Sequence, residues 1–203
     1  MSKIRQAAVA GLFYPADPAQ LHSDIQAMLA VTEQAGSAPK ALIVPHAGYI
    51  FSGPVAASAY AQLKNIRHIV KRVILLGPCH RVPLRGLATS SADYFETPLG
   101  SVRLDHEAIQ QIASLPQIEE FDLTHEQEHS LEVQLPFLQE VLDDFSLVPL
   151  VVGDTNAEEV SEVLERLWGS DETLIVISSD LSHYHDYNTA RAMDNETCHA
   201  IEE

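Results

Sequence analysis

The sequence predicts an α/β fold, a three-layer α/β/α arrangement around a mixed sheet. Two observations carry that expectation. Four short apolar runs, residues 41–44, 73–77, 146–152 and 173–178, are continuous rather than alternating, as buried strands are. Between them lie segments with helical spacing and helix-start signals, so strands and helices alternate along the chain. A third observation bears on function: three of the runs stop within a few residues of a histidine.

The chain of 203 residues is long enough for one well-buried core, and one domain spanning 1–203 is expected. No stretch reaches the length of a membrane span, and the first residues lack the apolar run of a secretory signal, so no membrane partner and a cytoplasmic location are expected. A formal net charge of −17 without any Lys/Arg cluster argues against a nucleic-acid surface. The acids of 157–168 and 194–203 read instead as solvated helix faces. Two cysteines, Cys79 and Cys198, make no disulfide framework.

In chain order, Asp17 is placed to cap a helix with Pro18 at its first position, and Leu21, Ile25, Met28 and Leu29 share one helical face. Residues 32–39 form a polar connection. The stretch 40–60 reads as a strand covered on both faces, a tight turn carrying His46, and a helix with Pro54 in its first turn. The small residues Ala56, Ala57, Ser58 and Ala59 would let that helix lie close to a sheet. The strand at 73–77 runs into Pro78, Cys79 and His80. Segments 84–91 and 94–102 look extended, with a hairpin turn at 97–100, and are expected to add antiparallel edges to the sheet.

Asp105 caps a short helix built on Ala108, Ile109 and Ile112. Residues 128–138 read as a helix with Leu131, Leu135, Leu138 and Leu142 on one side; Pro136 either kinks it or marks its true start. After the strand at 146–152, residues 154–156 cap a helix whose core positions are Val160, Val163, Leu164 and Leu167. The last strand, 173–178, leads into Asp180, His183 and His185. A final helix from about Asn188 carries Ala192, Thr197 and Ile201.

Strand ends thus deliver His46, His80 and the Asp180/His183/His185 group to one rim, the place where open α/β sheets bind ligands. Neutral imidazole is the commonest ligand for Zn, Fe and Cu, so His46 and His80 are candidate metal ligands. Asp180 and His183 either complete such a site or act beside it, orienting a ligand or moving protons; for Asp180, capping the following helix is an equal reading. His183 is preferred to His185. His129 can exchange protons at the site edge or serve as a structural residue at a helix start. Cys79 is a soft ligand, a redox-sensitive thiol or simply a small buried residue. His22, His68, His106, His125 and His199 read as surface residues. No phosphate-cradling Gly loop, nucleophile elbow or zinc-type cysteine motif is present in the sequence.

The segments Gly-Leu-Phe-Tyr-Pro (11–15), Pro-His-Ala-Gly-Tyr-Ile-Phe-Ser-Gly (45–53), Leu-Gly-Pro-Cys-His (76–80), Thr-Pro-Leu-Gly (97–100), Glu-His-Ser-Leu-Glu-Val-Gln-Leu-Pro-Phe (128–137) and Ser-Ser-Asp-Leu-Ser-His (178–183) resemble, in order, those of the MEMO family. In prokaryotes this family is called AmmeMemoRadiSam system protein B. The resemblance implies a fold similar to class III extradiol ring-cleaving dioxygenases, metal ligands at His46 and His80, and Asp180 and His183 lining the same pocket. Those dioxygenases bind Fe(II) through two histidines and a glutamate. In MEMO proteins the third position is a cysteine of a Cys-Gly motif near the C-terminus. The sequence ends at Glu203, before that region, so the domain is expected to lack the family's C-terminal part, and Cys198 does not take that cysteine's role.

The function implied is a non-haem, metal-dependent oxidoreductase with a dioxygenase-like pocket. Its cofactor would be a divalent metal, iron or copper first and zinc as the alternative, unless the missing ligand leaves the site empty. A second function class is a non-catalytic metal- or partner-binding protein acting with radical-SAM and AMMECR1-type proteins. A zinc hydrolase with Asp180 as base comes third. The partner expected is a small molecule or a protein.

Overall fold

Three of the four apolar runs form the parallel centre of a six-stranded sheet, and the fourth lies at its edge. The computed structural model describes residues 2–32 and 38–202; most of the polar connection expected at 32–39 lies outside them. In chain order the elements are β1 (Ile4–Arg5), α1 (Pro18–Ala30), β2 (Ala41–Val44), α2 (Tyr49–Tyr60), β3 (Arg72–Pro78), β4 (Leu87–Thr89), β5 (Tyr94–Thr97) and β6 (Gly100–Arg103). There follow α3 (His106–Ile112), β7 (Ile118–Glu120), α4 (Leu123–Glu126), α5 (Leu135–Val141), β8 (Ser146–Val152), α6 (Ala157–Leu167), β9 (Thr173–Ser178) and α7 (Tyr187–Glu202).

The large sheet has the order β2-β9-β3-β8-β4-β7. β2, β9, β3 and β8 are parallel, β4 is antiparallel to β8, and β7 runs parallel to β4 at the far edge. Val44 pairs with Ser178 and Leu76 with Ile177, so the carboxyl ends of β2, β9 and β3 lie abreast. Helices flank this mixed sheet, as a three-layer α/β/α fold requires. No described helix is long and apolar enough to cross a membrane.

Several expectations need correction. The run at 41–44 is not covered on both faces. β2 is an edge strand in which Ala41 and Ile43 are exposed while Leu42 and Val44 are buried. Of the extended region 84–102, only β4 joins the large sheet. The β5–β6 hairpin, turning at 97–100 as expected, forms a separate three-stranded sheet with β1. Pro54 is not in a first helical turn, because α2 already begins at Tyr49. Its ring cannot donate to the Ile50 carbonyl, and both residues sit on the solvent side of the helix, where water can serve instead. The opposite face of α2 is tight: Ala56 and Ala57 are buried, and a Cβ on Gly53 would come within 2.6 Å of Met28 Sδ on α1.

His125, expected at the surface, is buried on α4. Its Nε2 is 3.2 Å from the Ala88 carbonyl and its ring meets Phe95 edge-on. Pro136 marks a true start, standing in the first turn of α5 after a short 3-10 turn at Glu132–Gln134. The caps hold as read: Asp17 accepts from Gln20 N–H, Asp105 from Ala108 N–H, and Asn156 and Glu159 form a reciprocal capping box on α6. α7 buries none of its residues.

Candidate metal centre

His46 lies two residues beyond β2. Its backbone N–H donates to Asp180 Oδ1 at 2.6 Å, tying the turn to the loop after β9. Its ring Nδ1 is 2.9 Å from Ser178 Oγ. That hydroxyl donates its single proton to the Ser130 carbonyl at 2.6 Å and accepts from Gln134 Nε2 at 2.8 Å. Gln134 is itself oriented, donating to the Pro45 carbonyl and accepting from the Tyr60 hydroxyl. Ser178 Oγ can therefore only accept from His46, so Nδ1 carries the proton and Nε2 keeps its lone pair.

His80 lies two residues beyond β3. Its backbone N–H donates to Glu128 Oε2 at 2.7 Å and its Nδ1 is 2.9 Å from Oε1 of the same carboxylate. An ionised carboxylate only accepts, so Nδ1 is again protonated, which leaves Nε2 as the nitrogen open to a metal. His129 sits between α4 and the 3-10 turn. Its ring stacks on His80, centroids 4.6 Å apart, and against Phe13 at 4.7 Å. The Phe13 loop is fixed where Tyr49 N–H donates to the Phe13 carbonyl. His129 Nδ1 is buried and has no hydrogen-bond partner.

The turn that carries His129 is strapped down by the N-terminal segment. Arg5 is buried against Glu132 and donates to the carbonyls of His125 and Glu128. Glu132 also accepts from Ala8 N–H, Val9 N–H and the Tyr14 hydroxyl. A buried ion pair with this many additional hydrogen bonds fixes geometry whatever its net stability.

The result is convergence: one ring nitrogen each from His46, His80 and His129 lies within 4.8 Å of the others, a group that can hold a metal ion. Burial lowers the pKa of His46, with Asp180 opposing and the His80 ring adding to the fall. Burial does the same for His129, opposed by Glu128 and reinforced by the His80 and His46 rings. Both are thereby kept neutral, the form that binds metal. Burial raises the Glu128 pKa, but hydrogen bonds from His80 and Ser130 outweigh it and hold the group below the ordinary carboxylate range. The donor set fits a transition metal.

The other sequence-predicted residues lie outside this three-histidine group. Asp180 does not cap the following helix; Asp186 does, accepting from Asn188 and Thr189 N–H. Both Asp180 oxygens face His46, Oδ2 at 3.7 Å from its Nε2. His183 and His185 are exposed and lie outside the convergent group. Among the described residues the His183 ring meets its own loop, Nδ1 at 3.0 Å from the Leu181 carbonyl and ring to ring with Tyr184. That loop is shaped by left-handed backbone at Leu181 and Tyr184. Cys79 is half-buried, donates to the Val82 carbonyl, and is not part of the group. Sequence reasoning assigned no role to Glu128, Glu132, Arg5, Ser178 or Gln134. The only signal was an acid directly preceding His129.

A sequence profile of Memo-like proteins matches residues 5–203. The chain is 37% identical over 204 residues to a MEMO1 family protein of Aquifex aeolicus, covering 98% of this chain and 75% of that one. It is 37% identical over 215 residues to a MEMO1 family protein of Thermotoga neapolitana, covering 98% and 77%. With the human protein MEMO1 the match is 33% over 188 residues, covering 89% and 63%. The chain therefore spans about three-quarters of the length of these bacterial relatives and under two thirds of the human one. On that evidence the chain belongs to the Memo-like protein family.

Proposed function

We propose that the protein is a metal-dependent oxidoreductase of dioxygenase-like type, its divalent metal held by His46, His80 and His129. The observation that carries this is the convergence of three imidazoles, two of them with Nδ1 engaged so that Nε2 is the nitrogen left for a metal. Iron or copper is the metal expected; when bound it supplies Lewis acidity and the electrons through which O2 reacts.

The chain's own residues bind and orient a vicinal diol at the rim. Phe13, packed on His129, forms an apolar wall on that side. Asp180 is partly solvent-accessible and its Oδ2 lies 3.7 Å from His46 Nε2, so its carboxylate is placed to accept a proton from a substrate hydroxyl. His183, on the adjoining exposed loop, can pass that proton to solvent.

A specific feature favours a second reading. Three imidazoles with no carboxylate among them are also the set of a catalytic zinc site with an open position, which would make the protein a hydrolase with Asp180 as base. Elemental analysis of anaerobically purified protein, beside a His46→Ala/His80→Ala variant, separates the two. Stoichiometric iron or copper lost in the variant, with O2 uptake on catechols, supports the oxidoreductase. Stoichiometric zinc without O2 uptake overturns it in favour of the hydrolase. No metal in either protein, even after reconstitution, leaves a partner-binding role with radical-SAM and AMMECR1-type proteins.

A further inference from the structure

We propose that Glu128 is the positioning residue of the candidate centre: it locks His80 as the Nδ1–H tautomer and turns its negative charge toward the His80 and His129 rings. It rests on the metal-centre reading above.

The Glu128 side chain is 1% exposed. Its two oxygens receive four hydrogen bonds: Oε2 from His80 N–H at 2.7 Å, and Oε1 from His80 Nδ1–H, His129 N–H and Ser130 N–H, each at 2.9 Å. A buried carboxylate normally sits beside a Lys or Arg. Here the nearby guanidinium of Arg5 pairs with Glu132 and gives Glu128 only a bond to its backbone carbonyl. Among the described residues the ion-pair partners of the Glu128 carboxylate are two imidazoles: His80, and His129, whose Nδ1 lies 3.3 Å from Oε1 outside hydrogen-bond geometry.

The charge is therefore directed at two of the three converging rings. A carboxylate behind a ligating histidine fixes its tautomer and raises its basicity. The two backbone N–H donors from His129 and Ser130 hold the carboxylate against His80 and make it rigid.

The test uses the full chain as wild type, Glu128→Gln and Glu128→Asp. In metal-free protein at neutral pH, imidazole 15N shifts, assigned against His80→Gln, should show wild-type His80 protonated at Nδ1 and bare at Nε2. Glu128→Gln should populate the other tautomer. In chelator competition with Co(II), Glu128→Gln should bind roughly 10–100-fold more weakly than wild type, and Glu128→Asp, which keeps the charge, should recover part of the loss. A merely structural role would move neither the tautomer nor the Gln-to-Asp difference. Wild-type His80 protonated at Nε2, or a folded Glu128→Gln with unchanged Co(II) affinity, overturns the proposal. If wild type takes up no Co(II), the metal-centre reading fails, and the tautomer measurement, which needs no metal, decides the role of Glu128 alone.

Discussion

Glu128 and Glu132 lie close together on the same buried segment, and each is about 1% exposed, yet they are compensated in opposite ways. Glu132 faces a guanidinium, two backbone N–H groups and a tyrosine hydroxyl, so its charge is neutralised where it sits. Glu128 faces imidazoles and backbone N–H groups, so its charge is solvated but not neutralised. The difference shows that burial alone does not separate a structural carboxylate from one serving a site. The charge and chemistry of the partner do.

The largest effect is expected on the structural side of that contrast. Glu132→Ala leaves the Arg5 guanidinium buried without its counter-charge and strips the acceptor from Ala8, Val9 and Tyr14. Removing one partner of a buried pair costs about 3–5 kcal/mol. Urea unfolding should register a loss of that order. An Arg5→Met/Glu132→Leu variant, which removes both charges, should lose much less. A loss under about 1 kcal/mol for Glu132→Ala would erase the distinction between the two carboxylates, since Glu132 would then not be anchoring the segment.

His125, close by in the chain, sharpens the contrast because it is buried without an ion-pair partner among the described residues. Burial lowers its pKa from 6.5 to about 4, the Ala88 carbonyl opposing and the Arg5 guanidinium adding to the fall. The folded protein therefore keeps it neutral while the unfolded chain takes up a proton below pH 6.5. The unfolded state binds more protons in that window, so stability rises with pH between about 4 and 6.5 and falls as the pH drops through it. From this group alone, unfolding free energy should drop by roughly 2 kcal/mol between pH 7 and pH 5. In His125→Gln that component of the pH dependence should vanish; an unchanged slope would mean that another group carries it.

Much of the scaffold was legible because local chemistry determines it. The runs at 73–77, 146–152 and 173–178 became β3, β8 and β9 nearly to the residue, and Asp17 with Pro18 opened α1. His46 and His80 were legible because strand ends point to a rim. A continuous apolar run does not report which neighbours a strand will have, which is why β2 was misread as doubly covered. β7, with the sequence Ile-Glu-Glu and one partly buried residue, has no apolar pattern to detect. His125 reads as polar, and only packing against β4 and β5 buries it. The pairing of Arg5 with Glu132 spans 127 positions, and His129 likewise meets His46 and His80 from far along the chain. Such long-range contacts leave no spacing signal in the chain.

The smallest expected effect comes from a carboxylate of a third kind. Glu159 lies at the exposed start of α6, accepting from the Thr155 hydroxyl and Asn156 N–H while Asn156 Oδ1 accepts from Glu159 N–H. Water solvates this acid, so its hydrogen bonds add only the local saving of a helix cap. Asn156→Ala should cost about 1 kcal/mol in urea unfolding. It should leave Co(II) affinity and the His80 tautomer at wild-type values, since α6 contributes nothing to the imidazole group. The same modest destabilisation accompanied by weakened Co(II) binding would mean that the centre responds to any loss of global stability. The affinity change in Glu128→Gln could then no longer be assigned to its missing charge. An unaltered affinity in Asn156→Ala therefore makes the comparison between the two buried carboxylates specific to what each one touches.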